Sequence, residues 1–421
     1  MGVKSGTQAV PGHQIAVEEQ QKISVDGLVP AKAMRPYDAE DAARGLRLCD
    51  ASGAAVVVWG GGTQMRLGSP PRRYDVALST ERMTELLEYE PADLTCRTQA
   101  GMRLSDLQTA LAAQGQRLPL DPPHPERATV GGMLAANTSG LNRSRYGTVR
   151  DWVIGIAVAY PSGKVARAGG KVVKNVAGYD LMKLHIGALG TLGVIAEVNL
   201  KVQAIPQATT TLLGHFEEAL PAIDAGTRLA RQYLAPTAGV VLDRNALWAC
   251  GLTADWRWTL ALKLEGYTRE SDAARDLATK TIREAGGRVE GQDIPPLFWE
   301  AARDWSSVSD DNTVLLRCIV PISQTASMAK ALPREGQVVI QPAAGMVEVR
   351  VSPASAASVL SAMRAAAGNE GQVVVASAPP AAKSNLDIWG PPPPGFAVMK
   401  ALKQALDPHG ILNPGRFVGG I

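Results

Sequence analysis

Glycine placement constrains this chain more than any other feature. The sequence has 42 glycines in 421 residues. They cluster between Gly53 and Gly193, so that backbone must turn sharply or lie close against something. The first group is Val58-Trp59-Gly60-Gly61-Gly62-Thr63-Gln64, at the end of an apolar run. Consecutive glycines there let several N–H groups point one way, a nest for a phosphate or pyrophosphate, and Thr63 adds a hydroxyl. Taken alone, the same loop reads more readily as a plain surface turn. The second group is Ala128-Thr129-Val130-Gly131-Gly132-Met133-Leu134-Ala135-Ala136-Asn137-Thr138-Ser139-Gly140. A helix starting near Gly131 would offer free N–H groups to an anion. Asn137, Ser139 and Gly140 form a second polar turn, followed by Arg143, Arg145 and Tyr146-Gly147. The alternative is a small-residue packing face with a solvated basic turn. The third group is Lys174-Asn175-Val176-Ala177-Gly178-Tyr179-Asp180-Leu181 leading into Gly187-Ala188-Leu189-Gly190-Thr191-Leu192-Gly193-Val194-Ile195. Its glycines lie three apart, not in the Gly-x-Gly-x-x-Gly order of a dinucleotide-binding turn, and no Walker loop is present. An ordinary NAD or ATP site is therefore not expected.

Periodicity places these loops between elements. Asp38 can cap a helix in which Ala42, Leu46 and Cys49 recur at helical spacing until Gly53 ends it. An apolar strand follows over 54–59. Leu104, Leu107 and Leu111 mark a second helix, closed by Gly115. Strands are expected at 153–160, 164–168 and 194–202, an α+β order ending near Pro206. Beyond Thr209, helices over 223–233 and 271–285 alternate with strands over 258–264, 313–322 and 346–351. That pattern suits one antiparallel sheet covered by helices on one face. Pro391 to Pro394 form a stiff linker before a last helix over 397–406 and the turn Ile411-Leu412-Asn413-Pro414-Gly415-Arg416. The expected organisation is a flexible tail (1–24), an α+β domain (25–205), a cap domain of antiparallel sheet plus helices (206–390) and a closing segment (391–421).

Composition removes other classes. With 43 basic and 40 acidic residues the net charge is +3, too small to argue for nucleic acid. Cys49, Cys96, Cys250 and Cys318 are far apart, without the spacing of an iron–sulfur or zinc site. They read as buried reduced thiols, which fits a cytoplasmic protein. No apolar run reaches the roughly 18–20 residues of a membrane span, and the polar N-terminus has no signal-peptide core.

The glycine nest, Ala-Thr-Val-Gly-Gly, Asn-x-Ser-Gly, Tyr-Gly and Gly-Thr-Leu-Gly-Val-Ile occur in one order. That order resembles the FAD-binding domain of the vanillyl-alcohol-oxidase superfamily, the PCMH-type domain, over about residues 25–205. The resemblance implies FAD as cofactor. It implies a pyrophosphate held by Trp59, Gly60, Gly61, Gly62, Thr63 and Gln64 together with Thr129, Val130, Gly131 and Gly132. It also implies that Pro122, Asn137, Ser139, Gly140, Arg143, Tyr146, Gly147, Gly193, Val194 and Ile195 line the rest of the cofactor, and that Asn413 contributes from the closing segment. Covalent members carry a histidine in the glycine loop. Gly62 and Thr63 stand there in this sequence, so the flavin is expected to be non-covalent.

Within the superfamily, Lys174 to Leu181 and the Phe-Trp-x-x-x-Arg of Phe298 to Arg303 resemble the E-type subunits of glycolate oxidase. The 2-hydroxy-acid dehydrogenases and the D-type subunits carry a Glu in Gly-Ser-Glu-Gly and a histidine-rich motif. This chain has Gly187-Ala188-Leu189-Gly190 and five dispersed histidines. The resemblance implies a D-type FAD subunit and an iron–sulfur subunit as partners, glycolate as the small hydroxy acid, and electrons passing to quinone. It also implies peripheral contact with the inner membrane through those partners. A stand-alone 2-hydroxy-acid dehydrogenase and a non-catalytic flavin-binding scaffold are the other readings. Hydride removal needs a base for the hydroxyl proton. No catalytic residue is assigned, and His124 and His185 are the lone candidates.

Overall fold

The computed structural model describes residues 11–171, 180–289, 294–295, 297–308 and 310–421. The Lys174-to-Tyr179 part of the third glycine-rich segment lies outside them.

The first helix forms where expected, over Ala39–Ser52. The Asp41 N–H donates to the Asp38 carboxylate at 2.7 Å, and Gly53 ends the helix at φ 66°. Its apolar stripe of Ala42, Ala43, Leu46 and Cys49 packs between two sheets. One is four-stranded, in the order His13–Gln14, Lys32–Met34, Val76–Ser79, Val56–Trp59, and its last three strands run parallel. The other is five-stranded and antiparallel, in the order Leu86–Glu90, Thr95–Gln99, Val194–Lys201, Val153–Ala159, Val165–Gly169. The closing segment returns to the first sheet. Val56 N–H donates to Ile411 O and Asn413 N–H to Val56 O, each at 2.8 Å, while Leu412 joins the helix stripe in the core.

The second part is an eight-stranded antiparallel sheet. Its order is Arg288–Val289, Ala208–Phe216, Trp258–Gly266, Ala238–Asp243, Gln337–Gln341, Met346–Val351, Val314–Ile319, Gln372–Ser377. This is the α+β fold with an antiparallel cap that the sequence suggests.

Two expectations need correction. The tail is not loose from residue 11 onward. His13–Gln14 pairs with Lys32–Met34, and a helix spans Val17–Lys22. Arg35 holds Glu19 and Glu81, so an ion pair ties this strap down. The large sheet is also covered on both faces, because its strands alternate two apolar sets. Leu260, Leu262, Leu316 and Val349 pack under the helices Ala219–Ala230, Thr268–Glu284 and Pro353–Ala367. Ala261, Leu315, Val339 and Ala376 pack on the other side with Leu247, Phe298, Trp305 and Leu141. Leu141 belongs to the first domain, so this inner face is where the two halves meet.

Candidate functional site

The glycine loops converge. A Cβ built on Gly60 would lie 2.5 Å from Thr129 Oγ1, and one on Gly61 would lie 1.7 Å from Arg127 O. Thr129 caps the helix Val130–Ala136 by accepting from Gly132 N–H at 3.2 Å. The first loop and this helix N-terminus therefore interlock at a place only glycine permits. Beside them runs a cleft of about 740 Å³, counting the space open to solvent.

Of the expected residues, Gly60, Gly61, Gly62, Thr63, Gln64, Gly131, Gly132, Gly193, Ile195 and Asn413 line this cleft. Sequence reasoning missed Val58, Met65, Thr80, Ala135, Ala136, Leu189, Gly190 and Arg416 on its walls. Asn413 acts as a clamp, at φ 42°. Its amide accepts from Val58 N–H at 3.1 Å and donates to Leu189 O at 2.5 Å, joining three cleft walls. Arg416 is 3% exposed and donates to Met65 O and Leu67 O. Its Nη1 has no partner among the described residues. A buried, unsatisfied donor on a glycine-lined wall fits an anionic ligand such as FAD.

The other expected residues lie off the cleft walls. Val130 and Val194 are core residues, and Thr129 is spent on its cap. Trp59, Pro122, Asn137 and Gly147 line no part of it either. Ser139, Gly140, Arg143 and Tyr146 belong to a second place, the seam between the domains. Ser139 Oγ accepts from Val149 N–H, and Asp121 Oδ1 accepts from Asn142 N–H at 2.9 Å. Burial pushes Asp121 up to about 7, against the pull of Lys263 and Arg303. Arg117 grips Glu265 with two hydrogen bonds, at 3.1 and 2.6 Å, and donates to the Tyr146 hydroxyl. On the sheet, Arg317 Nε donates to Glu348 at 2.8 Å. Among the described residues, the Arg143 guanidinium has the Met346 thioether as its one hydrogen-bond partner, at 3.6 Å from Nη1. Burial, and then the nearby Arg317 charge, lower its pKa.

Neither candidate histidine lines the cleft. His185 is buried, hydrogen-bonds the Tyr160 hydroxyl at 2.9 Å, and burial lowers it to about 4. His124 holds φ 54° and donates its backbone N–H to the Asp304 carboxylate at 2.9 Å. All four cysteines are buried and unpaired, and burial pushes Cys49, Cys96 and Cys250 up to about 12. Among the described residues no cluster could hold a metal ion, and no helix is long and apolar enough to cross a membrane.

Comparison with known proteins agrees with this geometry. Residues 30–169 match the family model described as FAD binding domain, and residues 391–417 match FAD linked oxidases, C-terminal domain. Glycolate oxidase subunit GlcD of Bacillus subtilis (strain 168) is 28% identical over 324 residues, covering 72% of this chain and 67% of the relative. Glycolate oxidase subunit GlcE of Escherichia coli (strain K12) is 32% identical over 252 residues, covering 59% and 63%. D-lactate dehydrogenase of Archaeoglobus fulgidus is 30% identical over 251 residues, covering 58% and 56%. The chain thus spans about two thirds or less of the length of these curated relatives. Among solved structures, substrate-bound p-cresol methylhydroxylase superposes with a TM-score of 0.71 at 16% identity, covering 96% of this chain and 93% of that one. That likeness concerns the fold.

Proposed function

Because the chain belongs to the FAD-dependent oxidoreductases with a PCMH-type FAD-binding domain, we propose that it is the FAD-binding subunit of a complex that oxidises a small 2-hydroxy acid. Glycolate is the first candidate substrate, with glyoxylate as product. A D-type flavoprotein and an iron–sulfur subunit would be the partners that carry electrons on to quinone. The observation that carries the reading is the cleft itself: two interlocked glycine loops, with a buried Arg416 whose Nη1 awaits a partner. The named relatives, two glycolate oxidase subunits and a D-lactate dehydrogenase, support the substrate class.

In this reading the backbone of Gly60 to Gln64 and the helix beginning at Val130 hold the pyrophosphate, with Gly193, Ile195 and Asn413 along the remaining wall. Bound FAD would supply a hydride acceptor. Among the described residues no histidine, cysteine or tyrosine lines the cleft, which supports a cofactor held without a covalent bond. Acid precipitation should leave a colourless pellet, and retained yellow would contradict this. Nor does a histidine stand on the cleft wall as base. A general base contributes about a hundred- to ten-thousandfold in rate. The isolated chain should therefore bleach its flavin slowly with glycolate under anaerobic conditions, while the chain assembled with its partners supports full electron flow. Turnover by the isolated chain at about 1–1000 per second, as ordinary enzymes show, would replace the subunit reading with that of a stand-alone dehydrogenase.

A further inference from the structure

The seam between the domains carries a charge imbalance that the cofactor cleft does not explain. Helix Val130–Ala136 forms one cleft wall, and seven residues beyond it the chain delivers Arg143 to the inner face of the large sheet. There the sheet register fixes what Arg143 meets. Met346 lies opposite Gln341 on one side and Ile319 on the other, and two residues on, Glu348 lies opposite Arg317. Side chains two apart on a strand share a face, so Met346, Glu348, Gln341 and Arg317 form one inner patch. Its charges are Arg143, Arg317 and, two residues beyond Glu348, Arg350, against Glu348, which is 1% exposed and already bonded to Arg317; Arg350 is spent on Trp305 O and Ser307 O. Arg143 has no carboxylate within salt-bridge distance among the described residues, and a thioether is its one hydrogen-bond partner. Close by, Gln341 Oε1, Asn142 Oδ1 and Ser144 Oγ are buried without partners. A partly buried guanidinium left with a sulfur contact suits a carboxylate, and the orphaned acceptors beside it suit a hydroxyl donor.

We propose that this seam is a docking site for a small monocarboxylate, with Arg143 as the cation that takes the carboxylate and Gln341 as the acceptor for a neighbouring hydroxyl. Arg317 contributes its positive charge, which the Glu348 carboxylate partly offsets. Arg143 is the one guanidinium of the patch without an oxygen partner among the described residues, which matches one carboxylate. The next cluster along the sheet offers no second anchor, because Arg117 already spends two donors on Glu265 and one on Tyr146. The identity of the natural occupant as a 2-hydroxy acid rests on the function proposed above, whereas the binding does not.

The test uses the full FAD-loaded chain and 2-hydroxyisobutyrate, which has the shape of a 2-hydroxy acid but no α-hydrogen to lose. Calorimetric titration should show binding of this acid. Arg143→Met should weaken it about 10- to 100-fold, as loss of a hydrogen bond to a charged group does. Binding of the neutral 2-hydroxyisobutyramide should be unaffected by that change, and Arg143→Lys should recover part of the loss. Flavin content and melting temperature report whether each variant is intact. Glu348→Gln moves the result the other way, since it raises the local positive charge and should tighten acid binding. The site falls if the parent does not bind the acid, if Arg143→Met binds it as tightly, or if Glu348→Gln weakens it. Tenfold tighter binding of 2-hydroxyglutarate also overturns the monocarboxylate assignment. Anaerobic flavin bleaching by glycolate separates the two readings. Acid binding that depends on Arg143 without any bleaching upholds the site and removes the oxidation. Bleaching whose half-saturating glycolate concentration is the same in Arg143→Met as in the parent removes the site and leaves the oxidation.

Discussion

Replacing Gly61 by alanine should damage the protein through its backbone before any cofactor is involved. The added Cβ would sit 1.7 Å from Arg127 O, where 3.0 Å is the shortest tolerable approach, so one partner must move by about 1.3 Å. Neither is free to do so. The 124–128 turn is closed by Arg127 N–H and Ala128 N–H, both donating to His124 O, and Ala128 O accepts from Leu104 N–H at 2.9 Å. Gly61 lies two residues beyond the end of the strand Val56–Trp59, which is paired with Val76–Ser79. Overpacking costs about 1–3 kcal/mol, and each backbone hydrogen bond disturbed adds about 0.5–1.5 kcal/mol. A loss of about 3 kcal/mol or more is expected. At about 2–4 °C per kcal/mol for a domain of this size, the melting temperature of the FAD-free protein should fall by roughly 6–12 °C. FAD affinity should fall with it, since the same loop forms the cleft wall. Thermal melts of the apoprotein and fluorescence titration with FAD measure the two effects. Gly115→Ala, at φ 66° with open space around it, controls for backbone strain alone. If Gly61→Ala melts within about 1 °C of the parent and binds FAD normally, the loops do not interlock as described.

Further outcomes follow from three buried charges. Lys383 Nζ donates to Asp26 and to Gly68 O, each at 2.9 Å, with both side chains shielded from water. Lys383→Met should cost about 3–5 kcal/mol by stranding Asp26, and Lys383→Met with Asp26→Leu should recover most of it in urea unfolding; a lone variant as stable as the parent would show that the pair is not buried. Burial lowers Lys383 to about 8 from an ordinary 10.5. The unfolded chain then holds more protons between those values, so this group's contribution to stability should rise with pH from about 8 to 10.5 and vanish in Lys383→Met. Asp121 has the opposite sign: its folded pKa is raised from 3.8 to about 7, so its contribution falls as pH climbs through that window. Asp121→Asn, which keeps the acceptor for Asn142, should flatten the pH profile of the melting temperature, and an unchanged slope would contradict the assignment. Arg117→Met removes the hydrogen bonds that bind the first domain to Glu265 of the sheet, and should raise protease sensitivity at the seam without reducing FAD content.

Local signals account for much of the first domain's legibility. Asp38 and Gly53 bracket a helix because a carboxylate can accept from its first turn and only glycine adopts the left-handed closure easily. The glycine loops are legible as places of close approach, but part of what lies close is protein. Gly61 is required by Arg127 O, and Gly131 by Ala100, whose Cβ and carbonyl would lie 2.7 and 3.0 Å from an added Cβ. A motif therefore locates the cleft without separating residues that face it from residues that build it, which is why Val130 and Val194 fall in the core and Arg416 goes unnoticed beside Asn413. The seam is legible in neither composition nor spacing. Arg143 and Arg317 become neighbours only because Met346–Val351 pairs with Val314–Ile319 in a register that sets Glu348 opposite Arg317. A slip of one residue would turn Arg317 and Glu348 toward the outer helices. The apolar alternation of those strands therefore holds the polar patch in place: Leu316, Cys318, Val347 and Val349 are committed to the outer core, and the charges between them have no face left but the one that Arg143 meets.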